Sequence, residues 1–175
     1  MSYFRPILWL ALVGTLSGCG FQPLYGRYSA APVASEDLAA MRVDPIADRI
    51  GQQLRIALEE RLYAARAQAE PTYTLTVKTS TSSADLGIRR DDTASRARVT
   101  LEATYVVHAR GQEGVLVGGQ ARAIASYDLL EANFASVMAE RTAQEQAARD
   151  IADQIVARLA TYFTARRSAA RPQSP

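Results

Sequence analysis

The sequence predicts an α+β fold: a two-layer sandwich in which two helices pack on one face of a mostly antiparallel four-stranded sheet. Leucine and isoleucine recur every four residues from Ile46 to Leu62, which is typical of an amphipathic helix. Between Thr72 and Tyr127 the chain alternates apolar and polar residues, as half-buried strands do. From Asn133 an alanine-rich segment carries one apolar stripe and predicts a long second helix.

The predicted elements follow one another in a simple order. A short strand at 40–46 precedes the first helix, and three strands then form a meander at 72–80, 99–107 and 115–127. We expect a polar loop between the first two strands of the meander, at 82–95. Gly111 to Gly114 predict the hairpin turn between the last two, and Gly118-Gly119 predicts a bulge or a close backbone approach.

The last helix is expected to run for about 30 residues of good helix formers. Its apolar stripe is expected to be core against the sheet; the stripe includes Phe134, Val137 and Met138. The opposite face of the sheet is rich in threonine, and we expect it to remain free to meet a partner.

The first residues predict a lipoprotein signal peptide. The segment 7–16 is apolar or small throughout, and it is shorter than the roughly 20 residues of a membrane-spanning helix. It ends in a sequence that resembles the lipobox of bacterial lipoproteins, Leu16-Ser17-Gly18, directly before the only cysteine, Cys19. We expect cleavage before Cys19, followed by attachment of diacylglycerol and an N-acyl chain that anchor the protein to a membrane. The alternative is an ordinary signal peptide that contains a cysteine by chance.

These predictions divide the chain into four parts. They are a signal peptide at 1–18 that is removed, a lipidated tether at 19–37, a single α+β domain at 38–165, and a disordered basic tail at 166–175. The 20 basic and 18 acidic residues nearly balance, which argues against a nucleic-acid-binding protein. Gly20 stands where an aspartate would retain many lipoproteins in the inner membrane, so we expect an outer-membrane location.

The residues after Cys19 carry a resemblance to a known family. The sequence Gly20-Phe21-Gln22-Pro23-Leu24-Tyr25-Gly26 is similar to the start of the alphaproteobacterial branch of the lipopolysaccharide-assembly lipoprotein (LptE) family. Later segments agree in order, among them Asp48-Arg49 and Ser126-Tyr127-Asp128. The resemblance implies an outer-membrane lipoprotein that faces the periplasm or plugs the lumen of a large β-barrel, LptD, and assists lipopolysaccharide assembly. It also implies direct binding of lipopolysaccharide.

The sequence offers no residues for catalysis or metal binding. His108 is the only histidine, and we expect it to be solvated or hydrogen-bonded on a polar strand face. A catalytic triad needs a base and a nucleophile that the chain does not supply, and metal-ligand spacing is absent. We therefore expect no enzyme, no metal and no cofactor other than the lipids on Cys19.

One cluster of arginines could bind phosphate groups. Guanidinium groups make bidentate, charge-assisted contacts with phosphates, so the cluster is a candidate lipopolysaccharide contact. Its members are Arg89, Arg90, Arg96 and Arg98. The alternative is a solvated surface loop, since Asp91 and Asp92 stand among the arginines. For the whole protein, the alternative function is a periplasmic lipoprotein accessory of a lipid-transport ABC system.

Overall fold

The structure, a computed structural model, describes residues 32–63, 70–88, 94–129 and 133–170. The predicted signal peptide, Cys19, most of the predicted tether and the last five residues lie outside the described residues. The elements in chain order are α1 (Pro32–Ala39), β1 (Met41–Val43), α2 (Asp48–Tyr63), β2 (Tyr73–Ile88), β3 (Ala94–Ala109), β4 (Val117–Asp128) and α3 (Asn133–Ala170).

The four strands form one sheet in the order β1-β2-β3-β4. β1 pairs with β2 in parallel, and α2 is the crossover that joins these two strands. β2 pairs with β3, and β3 with β4, in antiparallel fashion. The predicted α+β class, with α2 and α3 on one face of a mostly antiparallel sheet, is confirmed.

The core lies between the sheet and the two helices. The four-residue spacing on α2 and α3 places large aliphatic side chains on one stripe of each helix, where they face alternate residues of the strands. Among the leucine and isoleucine side chains of the two helices, six have no exposed surface: Leu54, Leu58, Leu62, Ile151, Ile155 and Leu159. Leu75, Leu101 and Val107 meet them from the sheet, also with no exposed surface.

Polar contacts hold α2 beside α3. Arg61 donates two hydrogen bonds to the carboxylate of Asp153, at 2.5 and 3.0 Å. This hydrogen-bonded pair raises the pKa of Arg61 and lowers the pKa of Asp153. At the other end of α2, Arg49 hydrogen-bonds the side chain of Gln144. The two helices therefore run side by side from Gln144 to Asp153.

The middle strands are longer than predicted. β2 continues to Ile88 and β3 begins at Ala94, so most of the predicted loop at 82–95 is strand. Serine and threonine in this segment gave no apolar alternation, but they suit an exposed strand whose backbone pairs with β3. The register shifts between Asp85 and Ile88, where the pairing is irregular.

Both ends of the domain also differ from the prediction. α1 occupies residues that were expected to belong to an irregular tether, and α3 has 38 residues and continues to Ala170, past the predicted start of the tail at 166. One contact explains both differences. Arg167 hydrogen-bonds the carboxylate of Asp37 at 2.7 Å and that of Glu36 at 3.2 Å, so each helix end holds the other.

The glycines have the predicted roles, and for Gly118-Gly119 the structure decides between a bulge and a close backbone approach. Gly111 and Gly114 adopt positive φ angles of 76° and 108° in the turn between β3 and β4. The register of β4 on β3 continues through Gly118 and Gly119 without a bulge. A Cβ at Gly119 would lie 2.8 Å from the hydroxyl oxygen of Tyr105, so the glycine pair serves a close approach.

Candidate functional site

The face of the sheet opposite the helices is uncovered among the described residues. We call it the open face. It consists of the alternate side chains of β2, β3 and β4 that point away from the core. Most are polar or charged, as predicted: Thr74, Thr76, Lys78, Ser80, Ser82, Arg96, Arg98, Thr100, Glu102, Thr104, His108, Gln120, Arg122, Ser126 and Asp128.

Most charges of the open face are paired across neighbouring strands. Arg122 on β4 lies directly opposite Glu102 on β3, and their side chains form an ion pair at 3.4 Å. Arg96 on β3 lies opposite Asp128 on β4 and donates a hydrogen bond of 3.0 Å to it. Opposite charges at facing positions stabilise a sheet modestly. In both pairs the positive and the negative charge therefore neutralise each other.

Arg98 differs from these arginines. It lies between Ala84 of β2 and Ser126 of β4, neither of which carries a charge. Its Nε atom is buried and has no hydrogen-bond acceptor among the described residues. A buried donor without an acceptor costs free energy, which an anion on this face would recover. Arg98 thus holds a guanidinium donor that no described group uses.

Only some of the predicted site residues lie in the part of the chain that the structure describes. Arg96 and Arg98 lie on the open face, two residues apart on β3. Arg89 and Arg90 lie outside the described residues, as do Leu16, Ser17, Gly18 and Cys19. The Nδ1 atom of His108 lies 2.9 Å from the carbonyl oxygen of Gly114, a contact that supports the turn.

The start of α3 corrects one prediction. Phe134, Val137 and Met138 were expected in the core, but their exposed fractions are 78%, 46% and 42%. Gln144 of α3 hydrogen-bonds Arg49 near the start of α2, and the three exposed residues precede Gln144 on α3. Sequence periodicity alone could not reveal this, because it does not show where the neighbouring helix begins.

A cleft separates these first turns from the end of β4. It has a volume of about 540 Å³ and is lined by Ala125, Ser126, Tyr127 and Asp128 of β4 and by Ala139, Thr142, Ala143 and Gln146 of α3. Burial, together with the charges of Glu140 and Asp85, raises the pKa of Tyr127. The lining combines small apolar side chains with amide and hydroxyl groups and contains no catalytic constellation.

Two further findings concern the part of the chain that the structure describes. No cluster of three or more histidine, cysteine, aspartate or glutamate residues there could hold a metal ion. No helix among those residues combines the length and the apolar character that crossing a membrane requires.

Comparisons with solved structures find proteins of similar fold. A Caulobacter crescentus protein described as a lipoprotein has a similar structure, with a TM-score of 0.63 and 22% identity, covering 77% of this chain and 98% of that one. A minor lipoprotein of Acinetobacter baumannii gives 0.56 and 17%, covering 70% and 90%. The rare lipoprotein B of Shewanella oneidensis gives 0.54 and 12%, covering 71% and 96%. These similarities establish the fold.

A comparison with curated protein sequences gives no match. The family model for LptE, described as lipopolysaccharide-assembly, matches residues 38–159, which is more than half of the chain. This match covers every described strand, α2 and most of α3, and it agrees with the resemblance carried by the residues after Cys19. The chain therefore belongs to the LptE lipopolysaccharide-assembly family.

Proposed function

We propose that the protein is a non-catalytic outer-membrane lipoprotein, anchored by lipids on Cys19, that partners and plugs an LptD-type β-barrel and assists assembly of lipopolysaccharide at the outer-membrane surface. Family membership supports the role in lipopolysaccharide assembly. The observation that carries the proposal on the molecule is the open face, which no described element covers and which holds Arg98 with an unused donor.

The open face suits contact with a polar partner such as the inner wall of a barrel. Its threonine and serine hydroxyls both donate and accept hydrogen bonds, so they adapt to either kind of group. The pairs Arg122–Glu102 and Arg96–Asp128 leave little net charge to desolvate when a partner covers them. Contact over this face therefore carries a smaller electrostatic cost than a surface of isolated charges would.

Arg98 is the best-placed contact for a phosphate group of lipopolysaccharide. A phosphate that approaches Arg96 must compete with Asp128, and one that approaches Arg122 must compete with Glu102. Among the described residues no carboxylate lies directly opposite Arg98, and Ser126 stands opposite it on β4 as a further donor. Charge-assisted hydrogen bonds from a guanidinium group are among the strongest that proteins form with phosphate.

The partner is tested by co-purification. The tagged mature protein is isolated from detergent-solubilised membranes of its own organism, and the proteins that accompany it are identified and quantified. A large β-barrel in one-to-one amount is the expected result. Inner-membrane transporter subunits in place of the barrel would contradict the proposal and favour an accessory of a lipid-transport system.

The lipopolysaccharide contact is tested with matched arginine variants. Arg98→Ser should weaken binding of lipopolysaccharide to the purified protein about tenfold or more, because a hydrogen bond to a charged group contributes about 1.5 to 3 kcal/mol. Arg96→Ser is the control on the same strand, and it should lose less because Arg96 is already bound to Asp128. If replacing Arg89, Arg90, Arg96 and Arg98 together by serine leaves the affinity unchanged, the arginines do not bind lipopolysaccharide.

A further inference from the structure

The outer edge of β4 is protected over only half of its length. Gln154 of α3 donates a hydrogen bond of 3.0 Å to the carbonyl oxygen of Arg122, and Arg158 donates one to the carbonyl oxygen of Gln120. These contacts occupy edge carbonyls to which another strand would otherwise bind. Because backbone groups alternate in direction along a strand, those of Ile124 and Ser126 point outward as well. No described group bonds them.

The cleft lies beside this unprotected half of the edge. Its walls are the end of β4 and the helix residues Ala139, Thr142, Ala143 and Gln146. There the side chains of α3 do not reach around the edge as Gln154 and Arg158 do. On the open face the same segment exposes Ile124, an apolar side chain with 51% of its surface accessible. The segment around Ala125 is therefore accessible from the side, beneath α3.

We propose that this half of β4 pairs antiparallel with the same segment of a second copy of the chain, around a two-fold axis at Ala125. In that register Ile124 lies opposite Ser126 of the second copy, and Arg122 lies opposite its Asp128. Ile124 and Ser126 belong to the outward-pointing set, so in this register they form hydrogen-bonded pairs. The carbonyl oxygen of Arg122 is already bonded to Gln154, so Arg122 contacts Asp128 of the second copy through its side chain. A contact between identical patches around a two-fold axis is also the most frequent kind of homodimer interface.

Charge complementarity selects a second copy as the occupant. Within one chain Glu102 faces Arg122, and Arg96 faces Asp128. Joining two sheets in the proposed register extends these pairs into a row of four alternating charges: Glu102, Arg122, Asp128 of the second copy and its Arg96. Symmetry creates the same row a second time. The two exposed Ile124 side chains lie between the rows, as diagonal neighbours that cover each other.

The contact goes beyond the proposed function and does not depend on it. Its main-chain pairing involves about five residues of each strand, which is small for a stable interface, so the dimer should be weak and should depend on concentration. Attachment of both copies to one membrane would raise their effective concentration and favour pairing. The dimer is a state of the chain that is not bound to a barrel.

Disulfide cross-linking tests the register. Residues directly opposite each other at a non-hydrogen-bonded position lie about 4.5 Å apart between Cα atoms, within the range for a disulfide. The full-length Ala125→Cys variant in membranes should therefore form disulfide-linked dimers under mild oxidation. Thr104→Cys, on the middle of the open face, and the unmodified chain with Cys19 are the controls. Dimer yield no higher than in these controls overturns the proposal, as does a cross-link from the cysteine introduced on β4 to a β-barrel.

A second variant tests the contact without cysteine chemistry. Ile124→Lys places a charge at the centre of the edge and should raise the dimer dissociation constant at least tenfold, measured by sedimentation equilibrium of the purified lipoprotein in detergent. Val115→Lys, at another exposed apolar position away from the edge, should leave it unchanged. Equal behaviour of the two variants, or a wild-type chain that stays monomeric at all concentrations, contradicts the proposal.

Discussion

Replacing Phe163 by alanine should destabilise the fold strongly. Phe163 lies near the end of α3 with 1% of its surface exposed, and its ring centroid is 4.9 Å from that of Tyr73 and 5.4 Å from that of Tyr162. A buried Phe→Ala change costs about 3 to 5 kcal/mol through lost burial and the cavity left behind. The two aromatic contacts favour the upper half of that range, because each adds about 0.5 to 1.5 kcal/mol beyond burial.

Urea unfolding followed by circular dichroism measures this change, and thermal unfolding should show a fall of the midpoint by roughly 8 to 16 °C. Phe134→Ala is the matched control on the same helix. With 78% of its side chain exposed, Phe134 should contribute less than about 0.5 kcal/mol. Similar losses in both variants would refute the division of α3 into a packed body and a protruding first part.

Two further predictions concern ionic contacts. The hydrogen bond from Arg61 holds the pKa of Asp153 below its ordinary value of 3.8, so its stabilisation is present above that pH and is lost as the pH falls through the folded-state pKa. Asp153→Asn should therefore cost about 0.2 to 1 kcal/mol at neutral pH, since the carboxylate is largely exposed, and almost nothing in strong acid; an equal cost at both pH values contradicts this. Arg167→Ala should release α1 by breaking the contact with Asp37, which limited proteolysis would detect as faster cleavage there. Arg166→Ala, at the exposed neighbouring position, should not accelerate cleavage.

The helices and the alternating strands were predictable from the sequence because their signals are local. Leu54, Leu58 and Leu62 share one stripe whatever the helix packs against, because the helical period alone places them on the same face. Val99, Leu101 and Ala103 likewise share one face of a strand. The order of these elements was then enough to predict the α+β class and its four strands.

The extent of the elements was less predictable because it depends on distant partners. The serine-rich end of β2 has no apolar alternation, and its strand conformation follows from pairing with β3. By sequence the last turns of α3 look like a basic tail. In the fold they are helical, and Arg167 there bonds Asp37, which is 130 residues away along the chain. Such contacts leave no periodic signal in the sequence.

The candidate site also has features that the sequence predicts and features that only the tertiary structure decides. The sequence alone placed arginines near one another, predicted a polar sheet face and indicated the family through the residues after Cys19. Only the tertiary structure distinguished Arg98 from Arg96. On β4 the charged Asp128 lies opposite Arg96, whereas the uncharged Ser126 lies opposite Arg98. The tertiary structure also decided that Phe134 protrudes and that half of the edge of β4 is open. Local pattern determines the conformation of a segment, whereas the packing of separate segments determines which groups remain available to bind.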